Sequence, residues 1–149
     1  AYIEAKAQIE KFIELMGRKP EYLHGHAYGS PTINKIHERL SEEYGIIRTH
    51  ATLQEKGVKM AKSWYTVPFS LEQQMNLSTK NYLVEDKGEV LGNEVAAIIS
   101  HCGYVDAPLF DLSSFTVIRA KDLEAMLSDE MKEWIKTNNI ELITYRDLV

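Results

Sequence analysis

Apolar positions at helical spacing open the chain. Ile9, Phe12, Ile13 and Met16 fall at i, i+3, i+4 and i+7, so residues 1–16 are predicted to form an amphipathic helix. Gly17 suits the left-handed residue that closes such a helix, and Pro20 blocks its continuation. Glu21 to His26 then reads as a short strand, and Gly25 and Gly29 bracket a turn. Ser30-Pro31 is a helix start: serine caps, and proline in the first turn gives up no needed hydrogen bond. The helix that follows carries Ile33, Ile36, His37, Leu40 and Tyr44 on one face and stops at Gly45, before a strand over Ile46 to Thr49. Strand, helix, strand is the repeating unit of a parallel sheet.

Residues 50–92 carry the weakest pattern. Trp64, Tyr65, Val67 and Phe69 suggest a strand interrupted by Pro68, Leu71 to Leu77 a short helix, and Glu85 to Gly88 a turn. Val95 to Ile99 is a continuous apolar run, as expected of a strand covered on both faces. Helical spacing returns with Leu123, Met126 and Leu127, then Met131, Trp134 and Ile135; Ser128 is placed to cap the second segment, with Asp129 and Glu130 in its first turn. Asn138-Asn139 ends it, and Ile140 to Thr144 reads as a final strand. The alternation predicts an α/β fold in one domain over residues 1–149, with its strands in one mostly parallel sheet.

Composition narrows the functional classes. The net charge of −5 comes with no basic cluster, which argues against nucleic-acid binding. No apolar run approaches the ~18 residues that read as a membrane span. A single cysteine, Cys102, excludes an internal disulfide framework and fits a reducing cytoplasm. No glycine-rich phosphate loop, G-x-S-x-G elbow or C-x-x-C is present.

Two histidine sites follow predicted strands, where parallel α/β folds place their chemistry. In His24-Gly25-His26 the imidazoles are two residues apart, so an extended strand points both to one side. That suits a transition-metal pair, and equally two histidines with ordinary hydrogen bonds. His101, in SHCGYVD, has the pKa range of an acid–base residue; packing at a strand end is the other reading. Cys102 is expected as a buried inert thiol, since adjacent strand residues face opposite ways and cannot pair as Cys–His. His37 is read as a core histidine, His50 has no supporting context, and Asp106 and Asp111 read as turn caps or carboxylate catalysts.

Four stretches, KFIELMGRKPEYLHGH (Lys11 to His26), SHCGYVD (Ser100 to Asp106), LSSFTVIRAKDLEAM (Leu112 to Met126) and IELITYRDL (Ile140 to Leu148), together resemble the YdjC-like carbohydrate deacetylases, in their C-terminal half. The resemblance implies a TIM-barrel-like (β/α) fold and hydrolysis of the acetyl amide of N-acetylated sugars. It implies a divalent metal, magnesium or zinc, held by an aspartate and two histidines. His26 matches one of those histidines, and His24 stands where the family carries aspartate. The remaining ligands belong to the family's N-terminal half, so this chain, opening at Ala1, is expected to be part of a longer protein, to hold metal weakly alone and to be inactive alone. His101 matches the histidine of the family's H-P-G-Y turn, with Cys102 in place of proline, and takes the acid or oxyanion-orienting role in the same site as His26. Tyr104 and Arg119 become sugar-facing candidates. The implied partners are an acetylated amino sugar and the missing half or another chain, with a homo-oligomer as a further expectation. A sugar-binding or assembly module that has lost catalysis is the alternative, favoured by Cys102 and by Ala27 to Ser30 standing where the family continues with histidines.

Overall fold

The computed structural model describes residues 1–26 and 29–148. The chain divides into two compact units, one built from the described residues of Ala1–Gly57 and Thr144–Val149, the other from Val58–Ile143.

In the first unit, α1 (Tyr2–Met16) ends as its glycine predicts: Gly17 has φ 65° and its N–H returns to the Ile13 carbonyl at 2.9 Å. The unit continues with β1 (Tyr22–Leu23), α2 (Pro31–Tyr44), β2 (Ile47–Arg48) and α3 (Thr49–Glu55). Ser30 caps α2 by accepting from the Ile33 N–H at 3.2 Å. The β1 and β2 strands pair in parallel, Tyr22 opposite Ile47 and Leu23 opposite Arg48. The core is Ile9, Leu40 and Ile46, flanked by Ile13, Leu23, Ile36 and Tyr44, so the periodic faces read from the sequence are the faces that are buried. A 3₁₀ turn, Tyr145–Leu148, belongs to this unit. There Arg146 makes a forked pair with Glu21 at 2.6 and 2.8 Å, and the Tyr145 ring lies 5.2 Å from that of Tyr22.

The second unit contains β3 (Lys59–Met60), α4 (Leu71–Asn76), α5 (Thr79–Val84), β4 (Ala96–Ala97), α6 (Ala107–Leu112), α7 (Val117–Leu127) and α8 (Asp129–Thr137). The β3 and β4 strands also pair in parallel, Lys59 opposite Ala96. Trp64, Phe69, Leu83, Ile118, Ala125 and Met131 form the core. Ser128 caps α8 as expected, accepting from the Met131 N–H at 3.2 Å. The buried Gln74 serves α7 from outside it. Its amide oxygen accepts from the N–H groups of Thr116 and Ile118, at 3.0 and 3.2 Å, which the helix start itself cannot satisfy. In return Lys121 of α7 donates to the carbonyls of Met75 and Leu77 at the end of α4.

The mixed α/β class and the parallel pairing agree with the sequence, while several expected strands do not form as expected. Among the described residues the ladders are two separate pairs of two-residue strands, not one sheet. Thr49, expected to end a strand, begins α3. Residues 64–69 form no strand, because Trp64 and Phe69 both turn into the core and the Tyr65 N–H is taken by the Ser63 hydroxyl at 3.2 Å. Residues 140–144 form none either. The Ile140 N–H closes α8 on the Ile135 carbonyl at 2.9 Å, the Thr144 N–H donates to Asp147 at 2.6 Å, and Leu142 between them is 77% exposed. The turn expected between Gly25 and Gly29 falls on Ala27 and Tyr28, outside the described residues. No helix among the described residues is long and apolar enough to cross a membrane.

Candidate functional site

In the first unit the parallel register decides what meets His24. It directly follows Leu23, whose partner across the ladder is Arg48, so Thr49 and His50 lie beside it. The His24 Nδ1 is 2.8 Å from the Thr49 hydroxyl, a hydrogen bond with a fully buried threonine. The His50 ring stacks on His24 with centroids 5.5 Å apart, and the His26 ring is 6.0 Å away on another side. Three imidazoles therefore group around the strand ends. Burial, and next the charges that His50, His26 and His37 would carry, hold the His24 pKa below the ordinary imidazole value. A neutral imidazole is the form that can ligate a metal. Even so, among the described residues no group of three or more histidine, cysteine, aspartate or glutamate side chains is arranged to hold a metal ion. Catalytic zinc sites take three protein ligands, so the described residues do not complete such a site.

In the second unit His101 follows β4 and is pinned through its backbone. Its N–H donates to Asp122 Oδ2 at 2.8 Å, while Asp122 Oδ1 accepts from the Trp64 indole at 3.0 Å and the Thr79 hydroxyl at 2.8 Å. Asp122 is 0% exposed, a carboxylate held in the core by three donors from three segments. The partly buried His101 ring sits against Tyr65 and Phe115, at centroid distances of 5.2 and 4.9 Å. The next turn is tied to α7, because the Gly103 N–H donates to the Arg119 carbonyl at 3.2 Å. Arg119 in turn donates from Nε to the Phe115 carbonyl at 2.9 Å, and Tyr104 is 92% exposed.

The structure thus brings His24 and His26 together with His50, and places His101, Tyr104 and Arg119 around one turn and the first turns of α7. Cys102 is an exposed free thiol, 3.4 Å from the Ser100 hydroxyl, and not the buried one expected: residues 100–106 run as an irregular loop, so its side chain is not turned inward by a strand. Asp106 is a cap, accepting from the Leu109 N–H at 3.2 Å, and Asp111 is exposed on α6. Sequence reasoning passed over His50 and Asp122. It also missed an open groove of about 500 Å³ beside Tyr65, with Thr66, Glu72, Asn76 and Tyr82 among its walls.

Comparison with known proteins fits this arrangement into a family. The chain is similar to carbohydrate deacetylase 2 of Listeria innocua serovar 6a, at 31% identity over 99% of this chain and 59% of that protein. A carbohydrate deacetylase of Listeria monocytogenes serotype 4a is 27% identical over 97% of this chain and 58% of its own length. The chain therefore spans about three fifths of the curated relatives it matches. Its fold resembles the crystal structure of a protein assigned provisionally to cellobiose-phosphate cleavage in Enterococcus faecalis V583. That match has a TM-score of 0.68 and 22% identity, and covers 99% of this chain and 60% of the other. Residues 1–137 match the family described as YdjC-like protein, and the chain belongs to that family.

Proposed function

We propose that this chain is part of a metal-dependent hydrolase that removes acetyl groups from N-acetylated sugars or oligosaccharides, and that it supplies one portion of the active site. The observation that carries the reading is His101, held through its backbone by a buried carboxylate in the irregular segment after β4 and flanked by aromatic rings, in a chain whose relatives are named carbohydrate deacetylases. In this reading the two βα-rich units belong to a TIM-barrel-like architecture, and the remaining site residues come from a further stretch of polypeptide or another chain.

The roles follow from chemistry. Hydrolysis adds water to the acetyl carbonyl, breaks the C–N bond and releases acetate and an amine. The departing amine needs a proton, and an imidazolium positioned beside it can give one. His101 takes that role, because its main chain is fixed to Asp122 and its ring is confined by Tyr65 and Phe115. Tyr104 on the turn and Arg119 in the first turn of α7, which the Gly103 N–H joins to that turn, face the sugar. His26, with His24, provides part of the ligand set of a divalent metal, magnesium or zinc. The described residues alone do not complete the site of that metal.

The test is acetate release from N-acetylglucosamine oligosaccharides by the protein that contains this chain. His101→Gln should lower kcat by roughly 10²–10⁴ with metal content unchanged. His26→Ala should lower metal content. Near-normal turnover in His101→Gln would reduce His101 to a packing residue, and metal loss in that variant would make it a ligand.

A further inference from the structure

The segment after β4 is fastened to α7 at alternate residues. The His101 N–H donates to Asp122 Oδ2 at 2.8 Å and the Gly103 N–H to the Arg119 carbonyl at 3.2 Å, while Cys102 and Tyr104 are exposed. The Gly103 tie joins one peptide group to another. The His101 tie ends on a carboxylate, which brings charge as well as geometry.

Asp122 is fully buried, and its partners are the Trp64 indole, the Thr79 hydroxyl and the His101 N–H. The indole and peptide N–H groups can only donate, and the hydroxyl donates too. The carboxyl therefore acts as an acceptor alone, the pattern of its ionised form. Among the described residues no lysine or arginine pairs with it. Neutral donors satisfy the oxygens without cancelling the charge, and a charge in the protein interior is felt more strongly than in water. The Tyr65 phenol registers it: burial first pushes its pKa above the ordinary tyrosine value, Ser63 acts the other way, and the Asp122 charge adds to the rise. The His101 ring packs on Tyr65 and belongs to the residue whose N–H the carboxylate holds. The charged and titratable groups around that ring are Asp122 and Arg119 from α7, Tyr65 from the segment after β3, and the neighbouring Cys102. Arg119 is drawn to the Phe115 carbonyl through its Nε. Burial against Tyr65 and Phe115 favours the neutral imidazole, and the carboxylate favours the imidazolium.

We propose that Asp122 is a positioning residue for His101 in two senses: it fixes the backbone that carries the imidazole, and its uncancelled charge keeps a proton on that imidazole that burial would otherwise remove. The use made of that proton rests on the hydrolase reading above; the coupling of the two residues rests on the buried network alone.

The experiment is an NMR titration of His101 in the protein that contains this chain, in the parent and in the variants Asp122→Asn and Thr79→Val. Asparagine keeps an acceptor toward Trp64 and Thr79 and removes the charge; Thr79→Val removes one hydrogen bond and keeps the charge. The parent midpoint should lie at or above the ordinary ~6.5 in spite of burial. Asp122→Asn should lower it by roughly one pH unit, and Thr79→Val should leave it in place while lowering the melting temperature. A parent midpoint below the ordinary value overturns the proposal even if Asp122→Asn does not fold. Equal shifts in the two variants overturn it as well, and leave Asp122 as a scaffold residue only. Acetate release measured across pH separates the two readings, with the alkaline limb of kcat expected to move to lower pH in Asp122→Asn. A midpoint shift in a protein that releases no acetate removes the hydrolase and leaves the coupling. Acetate release without a midpoint shift removes the coupling alone.

Discussion

The histidines of the two units end up in opposite surroundings although both follow a two-residue parallel strand. His24 is surrounded by its own kind: partial burial first, and then His50, His26 and His37, act against its protonation, and the Thr49 hydroxyl is its hydrogen-bond partner. His101 is surrounded by other chemistry: two aromatic rings, and a buried carboxylate that holds its backbone together with Trp64 and Thr79. The first arrangement is tuned by partial burial and, next, by like charges; the second is fixed by a core network. A strand end places His24, a buried carboxylate places His101, and the neighbours decide whether each imidazole is adjustable or locked.

The most damaging change to the locked side should be Asp122→Ala. It leaves the Trp64 indole, the Thr79 hydroxyl and the His101 N–H without their acceptor, at ~1–3 kcal/mol each, so a loss of at least ~3 kcal/mol is expected in urea unfolding. A cost under ~1 kcal/mol, typical of surface sites, would break the contrast. Gln74→Leu should come next, at about 2 kcal/mol, because it strips the acceptor from the Thr116 and Ile118 N–H groups at the start of α7 while keeping most of the volume.

On the adjustable side, an NMR titration should put the His24 midpoint below the ordinary ~6.5, and His50→Ala should raise it. The sign for stability follows. The unfolded chain takes up this proton first, so stability falls as pH drops below the unfolded value toward the folded one. A His24 midpoint at or above the ordinary value would mean that neither partial burial nor the neighbouring rings act on it. The smallest effect should come from Arg146→Ala. Arg146 holds the Glu21 carboxyl below its usual pKa, so the pair contributes above that range and is lost on acidification. The variant should show a slightly lower melting temperature at neutral pH, with the difference from the parent vanishing as the pH falls through the lowered Glu21 pKa.

Capped helices with a clear apolar face were legible in the sequence, because caps and periodicity are local: α1, α2 and α8 appear as expected. Strand lengths were not, since a two-residue ladder depends on which distant segment lies alongside. The same reason hid His50, whose place beside His24 follows from the register of β1 on β2. Some signals were present and unused. Ser70-Leu71-Glu72-Gln73 is a capping-box sequence, and both of its hydrogen bonds form. Asp122 lies at helical spacing with Ile118 and Ala125, both fully buried, so an aspartate on an apolar stripe was a mark of a buried polar centre. His101 was found through its motif and its position after an apolar run, and its anchoring at Asp122 required tertiary structure.

The return of residues 144–148 to the first unit has a consequence for biosynthesis. Glu21 and Arg146 are 125 positions apart, and all of Val58–Ile143 is translated between them. The second unit is contiguous and can fold as soon as it leaves the ribosome. The first must keep the Glu21 and Tyr22 edge open until Tyr145 and Arg146 emerge, and it closes over a separation of 125 positions, a slow step for a nascent polypeptide. During that interval the edge is accessible to chaperones and proteases.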